Sequence, residues 1–570
     1  MSRSLSRLSS LSRIQTPVSV RAFRTHATPR YVLSRRVTRL GLASGAVLGA
    51  SLLLGGQVYA EAPPSDPDSD AQRQPTPLTS LLRSYAVYSM CSIPMLVDWS
   101  PTILSTLMSI PGINLITEAI VRATFFSQFV GGDTAHQAVP LVEQLRAENK
   151  GTLFAYSVEV DEKEAAGKSQ HRSKNHQPVH KRIVQEMIRS IEVAAEFEDK
   201  FTQGSGADRR TWVAVKLTAL LPDAQALINM SSHIVNMRPA TSPPVAFPGT
   251  TLSSDMDILR QSSIPAGSPV TQENVIELRD LHSDLVKICT RAQERGVKII
   301  IDAEHRYVLP AIDAITQALM EQFNKLAQDS SKSDSIQPLI YNTYQAYLRR
   351  TPEHLKESLR RAKAGNYSLG VKLVRGAYHP HETHAHASKA ASAKSLSISP
   401  DPHPPVWSTK AETDNCYNSC AELLIDRIKD DMTSQSRGKT PSSPALGVLF
   451  GTHNWDSCNR ILEALVSRGL AEKEKRNGES DEIVRIGTNV TERVTLGQLY
   501  GMSDALTNYL VDKTRSSAPF VIKYVPYGAL VEVMPYLSRR AIENKSVLGD
   551  GGAADERRRA GAEIRKRLFG

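Results

Sequence analysis

The first 60 of the chain's 570 residues contain no aspartate, no glutamate and no lysine, although they hold nine arginines. That imbalance is the composition of a mitochondrial transit peptide. It also changes how the net charge of +10 is read, because setting those nine arginines aside leaves a nearly neutral body at +1. A neutral body removes any electrostatic case for nucleic-acid binding. Cysteine is scarce: five residues, at 91, 289, 416, 420 and 458, with no CxxC pair. A disulfide framework is excluded, and a reducing compartment is expected. Cys416 and Cys420 stand four apart, a spacing that suits a thiol pair or two buried small residues on one helix. No GxGxxG follows a β-type run, so a doubly wound dinucleotide fold has no support either.

Residues 1–45 read as the transit peptide, and Leu40 to Ala60 as an overlapping apolar run with five glycines and no charge. The run is about long enough to span a bilayer. Val58-Tyr-Ala60 also resembles a processing site, so an anchor and a cleaved signal both fit. Residues 61–77, rich in Pro, Asp and Ser, read as a disordered linker. Residues 78–150 are apolar-rich with helical spacing, an N-terminal helical extension to a larger domain. From 151 to 549 short β-type runs alternate with longer helical ones, the pattern of βα units around a parallel sheet. The runs are Leu153–Val158, Trp212–Leu217, Val297–Asp302, Leu339–Thr343, Leu369–Val374, Gly447–Gly451, Ile483–Gly487 and Phe520–Tyr524. Eight of them predict an α/β fold, a (β/α)8 TIM-type barrel. Insertions near 160–180, 238–272, 380–409 and 431–445 read as surface loops. One carries His379, His381, His384, His386 and His403, which give weak support for a metal site. Residues 550–570 read as a charged C-terminal tail.

The chemistry collects at the ends of the β-type runs. Lys216 interrupts VAVKLTAL, Asp302 and Glu304 end VKIIIDAE, and Gln345 follows LIYNTY. Lys372, Arg375 and Tyr378 run through GVKLVRGAY, Thr452, His453 and Asn454 close GVLFGTHN, and Tyr524 ends FVIKY. Most of these lie where the active sites of such barrels are built, at the C-terminal ends of strands. After the last run, ALVEVMPYLSRRAIEN takes helical spacing and brings Tyr536, Arg539, Arg540 and Glu543 onto one narrow arc. Two adjacent guanidiniums form a fork pair suited to a small carboxylate. The plainer alternative is a solvated face with an Arg539–Glu543 pair one turn apart.

Seven stretches, DAEHRYVLPAI, YNTYQAYLRR, VKLVRGAY, THNWDSC, GQLYGMSD, KYVPYG and PYLSRRAIEN, resemble in order the motif series of the mitochondrial proline dehydrogenase (proline oxidase) family. The resemblance covers about residues 125–158, 210–222 and 297–548. It implies an FAD-bearing (β/α)8 barrel on the inner mitochondrial membrane, matrix side. The implied reaction oxidises L-proline to Δ1-pyrroline-5-carboxylate and passes the electrons to ubiquinone, the first step of proline catabolism to glutamate. By resemblance, Arg539 and Arg540 hold the proline carboxylate, with Lys216 pointing at it. Tyr378, Tyr524 and Tyr536 are similar to the aromatic residues around the pyrrolidine ring, and Asp302 to the carboxylate that orients the cations. Gln345, Thr452, His453 and Glu543 resemble FAD-site residues, and Val374 a backbone contact near the isoalloxazine. Lys372 stands where the bacterial branch has Arg near the flavin, which keeps the charge and loses the fork. At the position of Tyr524, a Tyr resembles the proline enzymes, whereas the hydroxyproline-oxidising branch has Ser.

Two other classes compete with this reading. A barrel lyase or aldolase would use Lys216 as a Schiff-base nucleophile. A membrane-tethered helical scaffold would use the Arg pair on acidic lipid, but it needs a basic surface that the neutral body lacks. No residue is marked by its sequence context as the base that deprotonates the substrate amine.

Overall fold

The structure is a computed structural model. It describes residues 76–569 apart from 158–177, 203–208, 240–241, 243, 327–337, 380–381, 384–385, 388–397, 437–443, 476–481 and 546–551. Eight parallel strands close into a barrel: β1 (Lys150–Tyr156), β2 (Thr211–Val215), β3 (Ile299–Ile301), β4 (Ile340–Gln345), β5 (Leu369–Val374), β6 (Leu446–Gly451), β9 (Val494–Leu499) and β11 (Val521–Tyr527). Each strand pairs with the next, and β11 returns to β1 in register from Lys150–Val521 to Tyr156–Tyr527. The remaining strands, β7 (Ala471–Lys475), β8 (Glu482–Ile486) and β10 (Thr514–Arg515), form a separate small sheet.

The seventh barrel strand therefore differs from the sequence expectation. Ile483–Gly487 was expected to supply it, and that run falls instead in the small sheet, with Ile483 and Arg485 partly or fully exposed. The true strand, VTLGQL, is buried along most of its length. Thr495, Gly497 and Gln498 interrupt its apolar residues, so it lacks the continuous apolar run that marks a strand buried on both faces. EIVRI has the β-branched residues without the burial.

Inside the barrel, Trp212, Ile300, Tyr341, Leu449 and Ile522 fill the lumen as one apolar cluster, which makes it a packed core rather than a pore. Close packing there requires Gly370 on β5, where a Cβ would come within 2.2 Å of the Ile340 carbonyl oxygen. Outside, the helices Val179–Thr202, Gln272–Arg295, Leu309–Phe323, Thr351–Gly365 and Lys410–Ser436 turn apolar faces inward against the strands. Gln272–Arg295 begins at a Thr271–Asn274 capping box and ends at the left-handed Gly296.

Helices also cover the barrel's C-terminal mouth. Leu78–Cys91, Pro94–Ser109 and Ile113–Val121 precede the barrel, and Leu530–Lys545 follows β11. These share a second apolar cluster, with Val87, Tyr88, Val97 and Phe129 against Leu530, Val533 and Leu537. Gly501, after β9, is the latch between the parts. Its carbonyl accepts from Tyr88 Oη at 2.6 Å and from Gln128 Nε2 at 3.0 Å. Its φ of +73° and the 1.9 Å that a Cβ would have to the Gln128 carbonyl leave room for glycine alone.

The segment expected to be a charged tail forms a helix, Gly552–Phe569. Its Gly561 lies under the Tyr85 ring and its Ala553 joins the second cluster. The apolar run 40–60, His381 and His384 lie outside the described residues.

Candidate active site

The barrel's C-terminal ends, the helix Leu530–Lys545 and the covering helices enclose a cavity of about 1070 Å³. All thirteen residues to which the resemblance gives a site role line it: Lys216, Asp302, Gln345, Lys372, Val374, Tyr378, Thr452, His453, Tyr524, Tyr536, Arg539, Arg540 and Glu543. Glu304, also noted at a strand end, does not, and accepts from Thr218 instead. Strand geometry explains the convergence. Lys216, Asp302 and Thr452 each directly follow a barrel strand, Gln345 and Val374 end one, and Lys372 and Tyr524 lie within β5 and β11.

Asp302 is buried and bridges two of these groups. Its Oδ1 accepts from Lys372 Nζ at 2.6 Å and its Oδ2 from Tyr524 Oη at 2.8 Å. The Lys372 ammonium also sits 5.2 Å from the centre of the Tyr524 ring. Burial, and next the Asp302 charge, push the Tyr524 phenol well above its ordinary range. Tyr524 therefore stays a neutral donor and cannot serve as a base.

On the helix, Arg539 Nη1 donates to Tyr378 Oη at 2.7 Å, and its guanidinium lies 5.1 Å from the centre of that ring. The Tyr378 ring itself is 4.1 Å from the His305 ring. Arg540 is buried, stands 4.9 Å from the Tyr536 ring centre and donates to Glu543 Oε1 at 2.5 Å. Glu543 thus pairs with Arg540, three residues back, while Arg539 reaches Tyr378 in the loop after β5. The two guanidiniums are tethered at different points and both line the cavity.

Polar atoms there without a hydrogen-bond partner among the described residues include Gln345 Oε1, Tyr347 Oη, His453 Nδ1 and Arg540 Nε. Buried polar atoms are rarely left unpaired, so these suit a bound polar molecule. Burial, then the Lys523 and Arg540 charges, push His453 down to about 3, which keeps its imidazole neutral. A cavity this large also exceeds the needs of one five-membered ring and has room for a flavin beside it. The residues present fit FAD.

Arg375 was noticed in the sequence but given no role, and it organises one wall. Its Nε donates to Asp414 at 2.7 Å, its Nη2 to Ser457 Oγ at 2.7 Å and its Nη1 to Thr452 Oγ1. An Arg at a strand end beside Gly376 was the available signal. His305 and the covering-helix residues Leu104, Met108, Glu556 and Arg559 also line the cavity. Their partners are distant in sequence, so no local pattern marks them.

Eight parallel strands with a cationic, aromatic cavity at their C-terminal face define the class: a (β/α)8 barrel with its site at the catalytic mouth. The family model for proline dehydrogenase matches residues 169–550, and the chain belongs to that family. It is 29% identical over 503 residues to "Proline dehydrogenase 1, mitochondrial" of Arabidopsis thaliana, covering 86% of this chain and 84% of that one. It is 28% identical over 502 residues to "Hydroxyproline dehydrogenase" of Rattus norvegicus, covering 86% and 91%. Among solved structures it resembles proline utilization A of Bdellovibrio bacteriovorus inactivated by N-propargylglycine, with a TM-score of 0.52 and 17% identity. That likeness, over 86% of this chain and 43% of the other, concerns the fold alone.

The C-terminal helix brings a titratable group to this cavity. Burial and then Asp504 push Glu556 up to about 7, opposed by Arg559 and Lys523. The folded chain therefore holds a proton that the unfolded chain releases at lower pH. Stability falls as pH rises from the ordinary carboxyl value through about 7, and is lowest above it. Glu556→Gln should match wild type in thermal unfolding near about pH 5 and exceed it at about pH 8. A difference that does not vary with pH would contradict this.

Proposed function

We propose that this chain oxidises L-proline to Δ1-pyrroline-5-carboxylate, with FAD in the barrel and ubiquinone as the electron acceptor. One observation carries the reading: a guanidinium pair and three phenols converge with Asp302 in one cavity at the barrel mouth. Arg539 and Arg540 hold the substrate carboxylate through their forks, with Lys216 adding charge. Tyr378, Tyr524 and Tyr536 enclose the pyrrolidine ring and keep water from it. Asp302 positions Tyr524 and Lys372. Gln345, Lys372, Val374, Thr452, His453 and Glu543 hold the cofactor. FAD, when bound, supplies the two-electron acceptor for the hydride leaving the ring carbon beside nitrogen. The chain's part is to hold that carbon at reacting distance. Neither the Tyr524 phenol, raised by burial and the Asp302 charge, nor the His453 imidazole, lowered by burial, suits the role of base for the amine.

Mitochondrial residence follows from the Arg-rich, acid-free residues 1–45, read as a transit peptide, and from relatives named mitochondrial. Inner-membrane association, on the matrix side, fits a lipid-soluble acceptor. Among the described residues no helix is long and apolar enough to cross a membrane.

The test is Arg540→Met. A fork lost from a desolvated carboxylate pair costs about 2–5 kcal/mol. The variant should keep its flavin, released by acid as a yellow supernatant, while KM for proline rises by roughly two orders of magnitude or more. Near-normal KM would remove the clamp.

The relatives include both proline and hydroxyproline dehydrogenases at similar identity, so substrate choice rests on the site. The Tyr524 phenol, pinned by Asp302, leaves little room for a 4-hydroxyl on the ring. The wild type should prefer L-proline over trans-4-hydroxy-L-proline, and Tyr524→Ser should narrow that preference by roughly 1–3 kcal/mol, mainly through weaker proline binding. Steady-state kcat/KM for both substrates decides it. A wild type that favours hydroxyproline, or an unchanged ratio, rules Tyr524 out as the discriminator.

A further inference from the structure

Exposed large apolar side chains are concentrated on one part of the surface. Of the 21 found among the described residues, ten fall between Ile93 and Ile120: Ile93 caps the helix Pro94–Ser109, and the other nine lie on that helix, on Ile113–Val121 and on the turn between them. Met95 is 71% exposed, Leu115 68% and Trp99 59%. Single exposed apolar residues are ordinary on a protein surface, whereas a contiguous group marks a contact with something apolar. Between Ile93 and Val121 the only charged residues are Asp98 and Glu118, and there is no Lys or Arg.

The same helices reach the site. Leu104 and Met108 of the first and Val121 of the second line the cavity that holds Arg539, Arg540 and Tyr524. The outer apolar face and the inner lining are thus two sides of one helical pair. Exposed apolar residues continue onto the site helix at Val531, which is 70% exposed and also lines the cavity.

We propose that this helical pair seats in the apolar layer of a bilayer and gives a lipid-soluble quinone a path to the cavity that avoids water. The inference rests on the reading of ubiquinone as acceptor. A bilayer is favoured over a protein partner because the exposed apolar residues occupy both helices and their turn, and the only charged side chains in that stretch are Asp98 and Glu118. At 16 and 9 residues the helices are too short to span a membrane, so they lie in it. With two acids and no basic residue, seating depends on apolar burial and not on anionic headgroups. Binding should therefore be similar at low and high salt and on zwitterionic lipid.

The test uses the full chain with phosphatidylcholine vesicles. First, vesicles of brominated phosphatidylcholine should quench wild-type tryptophan emission, and Trp99→Phe should lose most of that quenching. No quenching, or quenching unchanged in Trp99→Phe, overturns the proposal. Second, turnover is measured with long-chain ubiquinone embedded in vesicles and with a water-soluble short-chain quinone. Replacing Met95, Trp99, Leu115 and Ile116 together by Gln should lower the ratio of the two by at least roughly tenfold, with the soluble rate unchanged. An unchanged ratio overturns the proposal. So does a wild-type dimer that the four changes turn into a monomer without altering the ratio, which would make the face a contact between copies. A wild type whose Trp99 is quenched by lipid but which reduces neither quinone retains the docking and refutes the acceptor.

Discussion

The Asp302 carboxylate, buried at the C-terminal end of β3, takes the Lys372 ammonium on one oxygen and the Tyr524 phenol on the other. The rest of the site depends on this contact. Lys216, Lys372, Arg375, Arg539 and Arg540 all line one cavity, and cations packed together in a medium poorer than water would repel each other. The carboxylates are spread to answer them: Asp302 on Lys372, Asp414 on Arg375 and Glu543 on Arg540. Each guanidinium is also fixed by a second partner or ring, so little remains to be ordered when a carboxylate arrives.

The barrel makes that arrangement possible. All strand ends converge on one mouth, so Asp302 after β3 meets Lys372 of β5, 70 residues on, and Tyr524 of β11, 222 residues on, although no two of these strands are neighbours. The helix Leu530–Lys545 then turns its Leu530, Val533 and Leu537 into an apolar cluster, which aims Tyr536, Arg539 and Arg540 at the mouth. Pro535 within that helix removes one backbone donor near the site.

Most of the barrel was legible because buried parallel strands read as short runs of Val, Ile and Leu, as in VKIIID and GVKLV. Val494–Leu499 was not, because Thr, Gly and Gln dilute its apolar signal, and an exposed β-branched run nearby took its place. The site was legible where a polar residue breaks an apolar run at a strand end, as with Lys216, Asp302 and Lys372. Pairing was less so. Helical spacing allowed Glu543 to meet either arginine, and nothing in it pointed to the contact of Arg539 with Tyr378. The contributions of Leu104, Met108, Glu556 and Arg559 come from helices packed over the mouth, and tertiary contacts of that kind leave no periodic trace in the chain.

In the proposed reading the cationic cluster is built around the substrate's carboxylate. Anaerobic titration of the purified flavin-loaded chain tests it most directly, with bleaching of the visible flavin band as the signal. L-Proline and L-prolinamide share the ring, the nitrogen and the reacting carbon, and differ in the charge the arginines would hold. L-Proline should bleach the band at concentrations lower by roughly two orders of magnitude or more than L-prolinamide requires. Equal reduction by the two would show that Arg539 and Arg540 serve something other than the carboxylate.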